Sequence, residues 1–200
     1  MSDLLVIKSS ILGEDSSSNR LLDEFVDQWR GQHPQHAIVE QDFSEQEIPH
    51  LSKQSFYAFA VPEQKRSAAQ MEATRLSDEL TAQFLQADNI VVGMPMYNLG
   101  IPSCFKAYID HISRAGQTFK YTEKGPVGLA GNKTAYVLGA RGGYYLDTPN
   151  DTQTPYIDTI FRFFGIETIN YVIAEGLNIS PKHKAESMDK ALADVRALFT

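Results

Sequence analysis

The sequence predicts an α/β fold: a parallel sheet of five strands in the order 2-1-3-4-5, with helices on both faces to give three layers. Three observations carry this. Short apolar runs alternate with segments of helical period five times along 200 residues, the pattern of a sheet covered on both sides. Right-handed crossovers restrict how such units join and leave 2-1-3-4-5 as the leading order. No repeat, low-complexity segment or linker divides the chain, so residues 1–200 are expected to form one domain.

Leu4-Leu5-Val6-Ile7 is the first strand. The polar loop 9–19 follows, then a helix with Leu21, Leu22, Phe25, Val26 and Trp29 on one stripe, ended by Gly31 and Pro34. Ala37-Ile38-Val39 is a weak second strand. Residues 43–66 read as an irregular excursion around Pro49 and Pro62 that could line a site. A long helix then places Ala69, Ala73, Leu76, Leu80 and Phe84 on one face. Residues 89–93 form the third strand. A helix from Ser103 to Arg114 follows, with Pro102 in its first turn and Phe105, Ile109 and Ile112 on one face. Residues 115–131 carry four glycines and no helical period, which reads as a loop or small excursion. Residues 134–138 are the fourth strand, 154–164 a helix stopped by Gly165, 168–173 the fifth strand. The last helix is expected to face Met188, Leu192, Val195 and Phe199 to the core.

In the 2-1-3-4-5 order, strands one, three and four are neighbours, and the loops after their carboxyl ends fall side by side at the switch point where open sheets bind ligands. The first loop brings Ser16, Ser17, Ser18 and Asn19 to a helix start, where hydroxyls and unpaired N–H groups suit a phosphate. The plainer alternative is that one serine caps the helix. Glu14 and Asp15 must face solvent for the phosphate reading to hold. The second loop, Gly93 to Pro102, offers an aromatic ring and an amide without charge, suited to a flat, partly apolar ligand. In the third, Gly142 and Gly143 let backbone N–H groups approach a ring edge, while Arg141 could be a mere surface charge.

The net charge of −7 argues against a nucleic-acid binder. No apolar run approaches a membrane span, and no signal peptide is visible, so a cytoplasmic protein is expected. The lone Cys104 leaves no intrachain disulfide and reads as a small apolar residue, or as a thiolate early in a helix. His33, His36 and His50 make no convincing metal site, and His111 and His183 fall on helices. The Lys182-His183-Lys184 run reads as a solvated helix start. No Gly-x-x-x-x-Gly-Lys-Ser/Thr or Gly-x-Gly-x-x-Gly signature occurs, so a mononucleotide fits better than a dinucleotide.

Met94 to Asn98, Ile101-Pro102, Lys106, Arg114 to Phe119, Tyr121-Thr122, Gly125-Pro126, Gly128-Leu129 and Arg141-Gly142-Gly143 closely resemble the bacterial FMN-dependent NADH azoreductases, also described as NADH:quinone oxidoreductases. Lys8-Ser9-Ser10, Ser16, Ser18-Asn19, Thr154-Pro155-Tyr156 and Phe163 extend the likeness over residues 3–177. The resemblance implies a flavodoxin-like homodimer with one FMN per subunit. Ser10 and Ser16 to Ser18 would hold the phosphate and ribityl end. Pro95, Met96, Tyr97, Asn98 and Leu99, with Ala140, Arg141, Gly142 and Gly143, would hold the ring. Tyr121 and Phe163 would come from the neighbouring subunit to cover the ring and contact substrate, and Tyr145 is a candidate hydrogen-bond donor near it. Leu99, Ala140 and Tyr144 depart from the family's usual residues. The expected reaction is ping-pong, with NADH or NADPH as donor and a quinone or azo compound as acceptor, the cofactor carrying the chemistry and no side chain an obligatory catalyst. An electron carrier serving a protein partner, or a flavin redox sensor, is the alternative.

Overall fold

The computed structural model describes residues 2–200. Its strands and helices are β1 Ser2–Lys8, α1 Ser17–Gln32, β2 Ala37–Asp42, α2 Lys53–Phe59, α3 Ala68–Gln86, β3 Asn89–Pro95, α4 Ser103–Ile112, β4 Phe119–Thr122, β5 Gly125–Gly128, β6 Thr134–Ala140, α5 Gln153–Phe163, β7 Thr168–Ala174 and α6 Pro181–Ala197. The main sheet runs β2-β1-β3-β6-β7, parallel throughout. Counting its strands alone, this is the expected 2-1-3-4-5 order.

Alternation along β1 explains the layers. Leu5 and Ile7 enter a core with β3, α3, α4 and α5. Leu4 and Val6 enter the opposite core with α1 and α6. All four are about fully buried, which is why the run is apolar without interruption; burial of each contributes about 1.5–3 kcal/mol. The α1 stripe is buried at all five expected positions.

Three expectations need correction. Residues 43–66 contain a helix, α2, started by Ser52, whose hydroxyl accepts the Ser55 N–H. The buried face of α3 is Thr74, Ser77, Leu80, Thr81 and Phe84; Ala69 is exposed. Residues 115–131 hold the β4–β5 hairpin, which docks against the end of α5 backbone to backbone. A Cβ added at Gly128 would sit 2.1 Å from the Gly165 nitrogen, so only glycine permits that approach. Among the described residues, no helix is long and apolar enough to cross a membrane.

Candidate functional site

Loops after β1, β3, β6 and β7 meet at the carboxyl edge of the sheet around one cleft. Ser10, Ser16, Ser17, Ser18, Pro95, Met96, Tyr97, Ala140, Arg141 and Gly142 line it. Asn98, Leu99 and Gly143 flank these residues in the chain without lining the cleft.

At one end stands the N-terminus of the 16-residue helix α1. Ser16 is its cap: the hydroxyl accepts the Asn19 N–H at 3.3 Å and lies 3.0 Å from the Ser18 hydroxyl. The capping alternative thus holds for Ser16, yet the Ser17 and Ser18 N–H groups, in the first turn, have no intrahelical partner and meet the cleft. Glu14 and Asp15 are exposed, but Asp15 does touch the cleft rim. Lys184 lines the same cleft and can offset that carboxylate. The Lys182 to Lys184 run is the solvated start of α6, as expected, and Lys184 alone of the three also borders the cleft.

The uncharged wall comes from the β3–α4 loop. The Tyr97 hydroxyl is 3.0 Å from that of Ser10. Tyr97 and Gly100 exchange backbone hydrogen bonds of 3.1 and 2.9 Å across Asn98 and Leu99, with φ of 49° and 66°. Two left-handed central residues are what a two-residue turn of this twist requires. Asn98 tolerates that backbone; Leu99, 42% exposed, is strained there. Gln153 braces the loop by donating to the Pro95 and Gly100 carbonyls at 2.9 and 3.4 Å, and the Thr152 hydroxyl donates to the Leu99 carbonyl.

Arg141 is not a surface charge. Its guanidinium is buried and donates to Asp151 at 3.1 Å, Glu175 at 3.4 Å and the Thr154 hydroxyl at 2.6 Å. Its backbone is engaged as well, the N–H donating to the Ala174 carbonyl at 2.8 Å and the carbonyl accepting the Leu177 N–H at 3.1 Å, so Arg141 shapes the loop and leaves the open N–H groups to the glycines after it. Burial would raise the Asp151 pKa, but the Thr154 N–H and hydroxyl and Arg141 outweigh it and hold the carboxyl below the usual range. Gly142 is pressed by Asn178: an added Cβ would sit 2.5 Å from that amide nitrogen. The Tyr145 ring lies over Gly143, its hydroxyl 2.9 Å from where a Cβ would be, and does not line the cleft.

Tyr121 and Phe163 lie outside the cleft of their own chain. Tyr121, on the hairpin, is 76% exposed. Phe163 packs tilted against Phe119, with centroids 4.5 Å apart. Cys104 donates to the Ser9 carbonyl, and burial pushes its thiol pKa up, which disfavours a thiolate. It borders a second hollow with Ile11, Phe43 and His50. His33 and His36 stack on each other beside Trp29.

Sequence reasoning missed Leu12, Leu177, Asn178 and Lys184, which also line the cleft. The last three follow β7, whose loop carries no glycine-serine run; position after a strand's carboxyl end was the one available signal. Free N–H groups and a lysine at one end and an uncharged aromatic wall beside them fit a phosphorylated ligand with a flat, partly apolar body.

A family model described as flavodoxin-like fold matches residues 2–199. The FMN-dependent NADH:quinone oxidoreductase of Cellvibrio japonicus is 46% identical over 185 residues, 92% of this chain and 93% of that protein. The chain belongs to the family of FMN-dependent NADH:quinone oxidoreductases. The Alcanivorax borkumensis member is also 46% identical, over 98% of this chain and 96% of its own. Among solved structures, an azoreductase from Bacillus anthracis superposes with a TM-score of 0.90 at 31% identity, covering 100% of this chain and 99% of that one. An FMN-dependent NADH-azoreductase from the same species, in complex with FMN, gives 0.87 at 26% identity, covering 100% and 98%.

Proposed function

We infer that this chain is an FMN-dependent NADH:quinone oxidoreductase that also reduces azo compounds. The observation that carries this is the convergence of three uncharged or hydroxyl-bearing loops on one cleft, in a chain of that family. Bound FMN supplies two-electron transfer between a nicotinamide donor and the acceptor. The residues do the rest. Ser17 and Ser18 N–H groups, with the Ser10 and Ser16 hydroxyls and Lys184, hold the phosphate end. Pro95, Met96 and Tyr97 give the ring a dry wall, and Asn98 and Leu99 set the turn that presents it. The N–H groups of Gly142 and Gly143 face a ring edge that gains negative charge on reduction. Arg141 acts by holding this loop, through its guanidinium and its backbone bonds to Ala174 and Leu177.

The subunit pairs with a second copy, and Tyr121 and Phe163 enter the partner's site over the ring and select the acceptor. Tyr121 is exposed on the hairpin and Phe163, half-buried at the end of α5, packs against Phe119 beside it, both away from their own cleft, which supports this. The single cysteine supports a reducing compartment, the cytoplasm.

The deciding experiment is a visible spectrum of the protein supplied with FMN, before and after anaerobic NADH. Flavin bands should bleach in a two-electron step and return when a quinone is added. Protein that retains no FMN, or bound FMN that NADH cannot bleach, overturns the assignment. Bleaching that halts at one electron would point to an electron carrier instead.

A further inference from the structure

Beneath the loop after β6 lies a buried charge cluster that the binding reading leaves unused. It comprises Arg141, 1% exposed, Asp151 at 6% and Glu175 at 15%. One cation faces two carboxylates. Asp151 is engaged with α5, accepting the Thr154 N–H. Glu175 instead serves the loop. One of its oxygens accepts the Tyr145 N–H at 2.7 Å, the Leu146 N–H at 2.9 Å and the Arg141 guanidinium at 3.4 Å.

A second set of bonds fixes the same loop from the side. The carbonyls of Arg141, Gly142 and Gly143 accept N–H groups of Leu177 at 3.1 Å, Asn178 at 3.0 Å and Gly176 at 3.0 Å. All peptides among the described residues are trans, so each N–H opposes the carbonyl of the residue before it. The N–H groups of Gly142, Gly143 and Tyr144 therefore point away from 176–178. That is the side on which the Met96 N–H reaches the Ala140 carbonyl, at 3.0 Å, the side of the β3 loop; Gly142 lines the cleft there with Pro95 and Met96, and Gly143 and Tyr144 follow beyond its rim. Among the described residues these three N–H groups have no acceptor. They form a row of donors held in place at both ends.

We propose that Glu175 is a positioning residue: it anchors residues 145–146 so that this donor row, led by Gly142 at the cleft, stays in place, and thereby sets how strongly the site favours reduced over oxidised FMN. The proposal rests on the reading that FMN occupies the cleft. Donors fixed in advance stabilise charge that develops on reduction without having to reorient. The negative charge of Glu175 itself acts the other way, because the cluster carries one carboxylate in excess. Its reach helps the reduced form and its charge opposes it, and two substitutions separate these contributions.

Glu175→Asp keeps the charge and withdraws the carboxylate by one methylene. Glu175→Gln keeps the reach and removes the charge. The readout is the reduction potential of the FMN holoprotein, equilibrated with a dye of known potential. In Glu175→Asp the preference for reduced FMN should fall about tenfold, which is about 30 mV for a two-electron couple. In Glu175→Gln the potential should stay at the wild-type value or become more positive. A wild-type potential in Glu175→Asp overturns the proposal, as does a fall in Glu175→Gln as deep as that in Glu175→Asp. A merely structural role would lower the unfolding midpoints of both variants and leave both potentials unmoved. Wild-type protein without flavin bands would overturn the FMN reading together with the inference built on it.

Discussion

Arg114 and Arg141 both keep only 1% of the side chain exposed, and both donate to carboxylates. Arg141 stands at the cleft and faces two acids, Asp151 and Glu175, one of which also receives backbone N–H groups of the loop. Arg114 stands past the far end of α4, about 15 Å along that helix from Ser103. It shares a single acid, Asp78, with Arg66 and is covered by the Phe59 ring 3.9 Å away. Its other contacts, to Ser77 and Phe59, clamp α2 and α3 to α4. Equal burial thus marks two different jobs. What distinguishes them is the surplus of carboxylate and the loop N–H groups that share it, not the buried charge as such.

Removing Arg141 should have the largest effect. Arg141→Ala leaves Asp151 and Glu175 buried without their cation, which should cost about 3–5 kcal/mol in urea unfolding and also weaken FMN retention, because the 141–146 loop loses its anchor. Arg114→Met should cost about 1.5–3 kcal/mol, the range of a hydrogen bond to a charged group, since Asp78 keeps Arg66. FMN affinity, read by fluorescence titration, should not change. Equal losses of FMN from both variants would erase the distinction.

Acid should probe the two sites together. Burial raises Asp78, but Arg114, Thr74 and Arg66 outweigh it, so its pKa, like that of Asp151, is lowered. The unfolded reference is about 3.9. A lowered folded pKa contributes stability that is present above the unfolded value and lost as pH falls through the folded one. The urea midpoint should therefore drop between about pH 4 and lower values. That slope should flatten in Arg141→Ala and in Arg114→Met alike; an unchanged slope in either would remove its carboxylate from the account. The smallest effect belongs to Phe59→Leu, which removes the ring over Arg114 and should cost about 0.5–2 kcal/mol with no change in flavin binding.

The sheet was legible because strands covered on both faces cannot hide their apolar runs. Leu4 to Ile7 and Ile90 to Val92 are buried without interruption. The α2 segment was not, because its pattern is inverted: Phe56 and Tyr57 are 62% exposed while Ser55 and Ala58 are buried. The α3 face was misread for a related reason. Two of its buried polar residues are satisfied by distant partners, Ser77 by the His111 carbonyl and Arg114, and Thr74 by Arg66, and no local period announces such partners. Of the cleft, the residues after β1, β3 and β6 could be read from loop chemistry. Asn178 and Lys184 could not, since their place depends on how the loop after β7 folds over Gly142.

Gly93 lies on β3 beneath α1. An added Cβ there would sit 2.6 Å from Leu22 Cδ1 and 3.4 Å from the Ser18 carbonyl oxygen. Leu22 is fully buried, so a methyl group must displace its side chain, and a residue larger than alanine presses on the Ser18 carbonyl and on the first turn of α1, which carries the N–H groups of Ser17 and Ser18. For anyone engineering a variant that exchanges its flavin readily, the dial is therefore a sheet position outside the cleft, and a graded series of side chains at residue 93 would turn it without replacing one residue that lines the site.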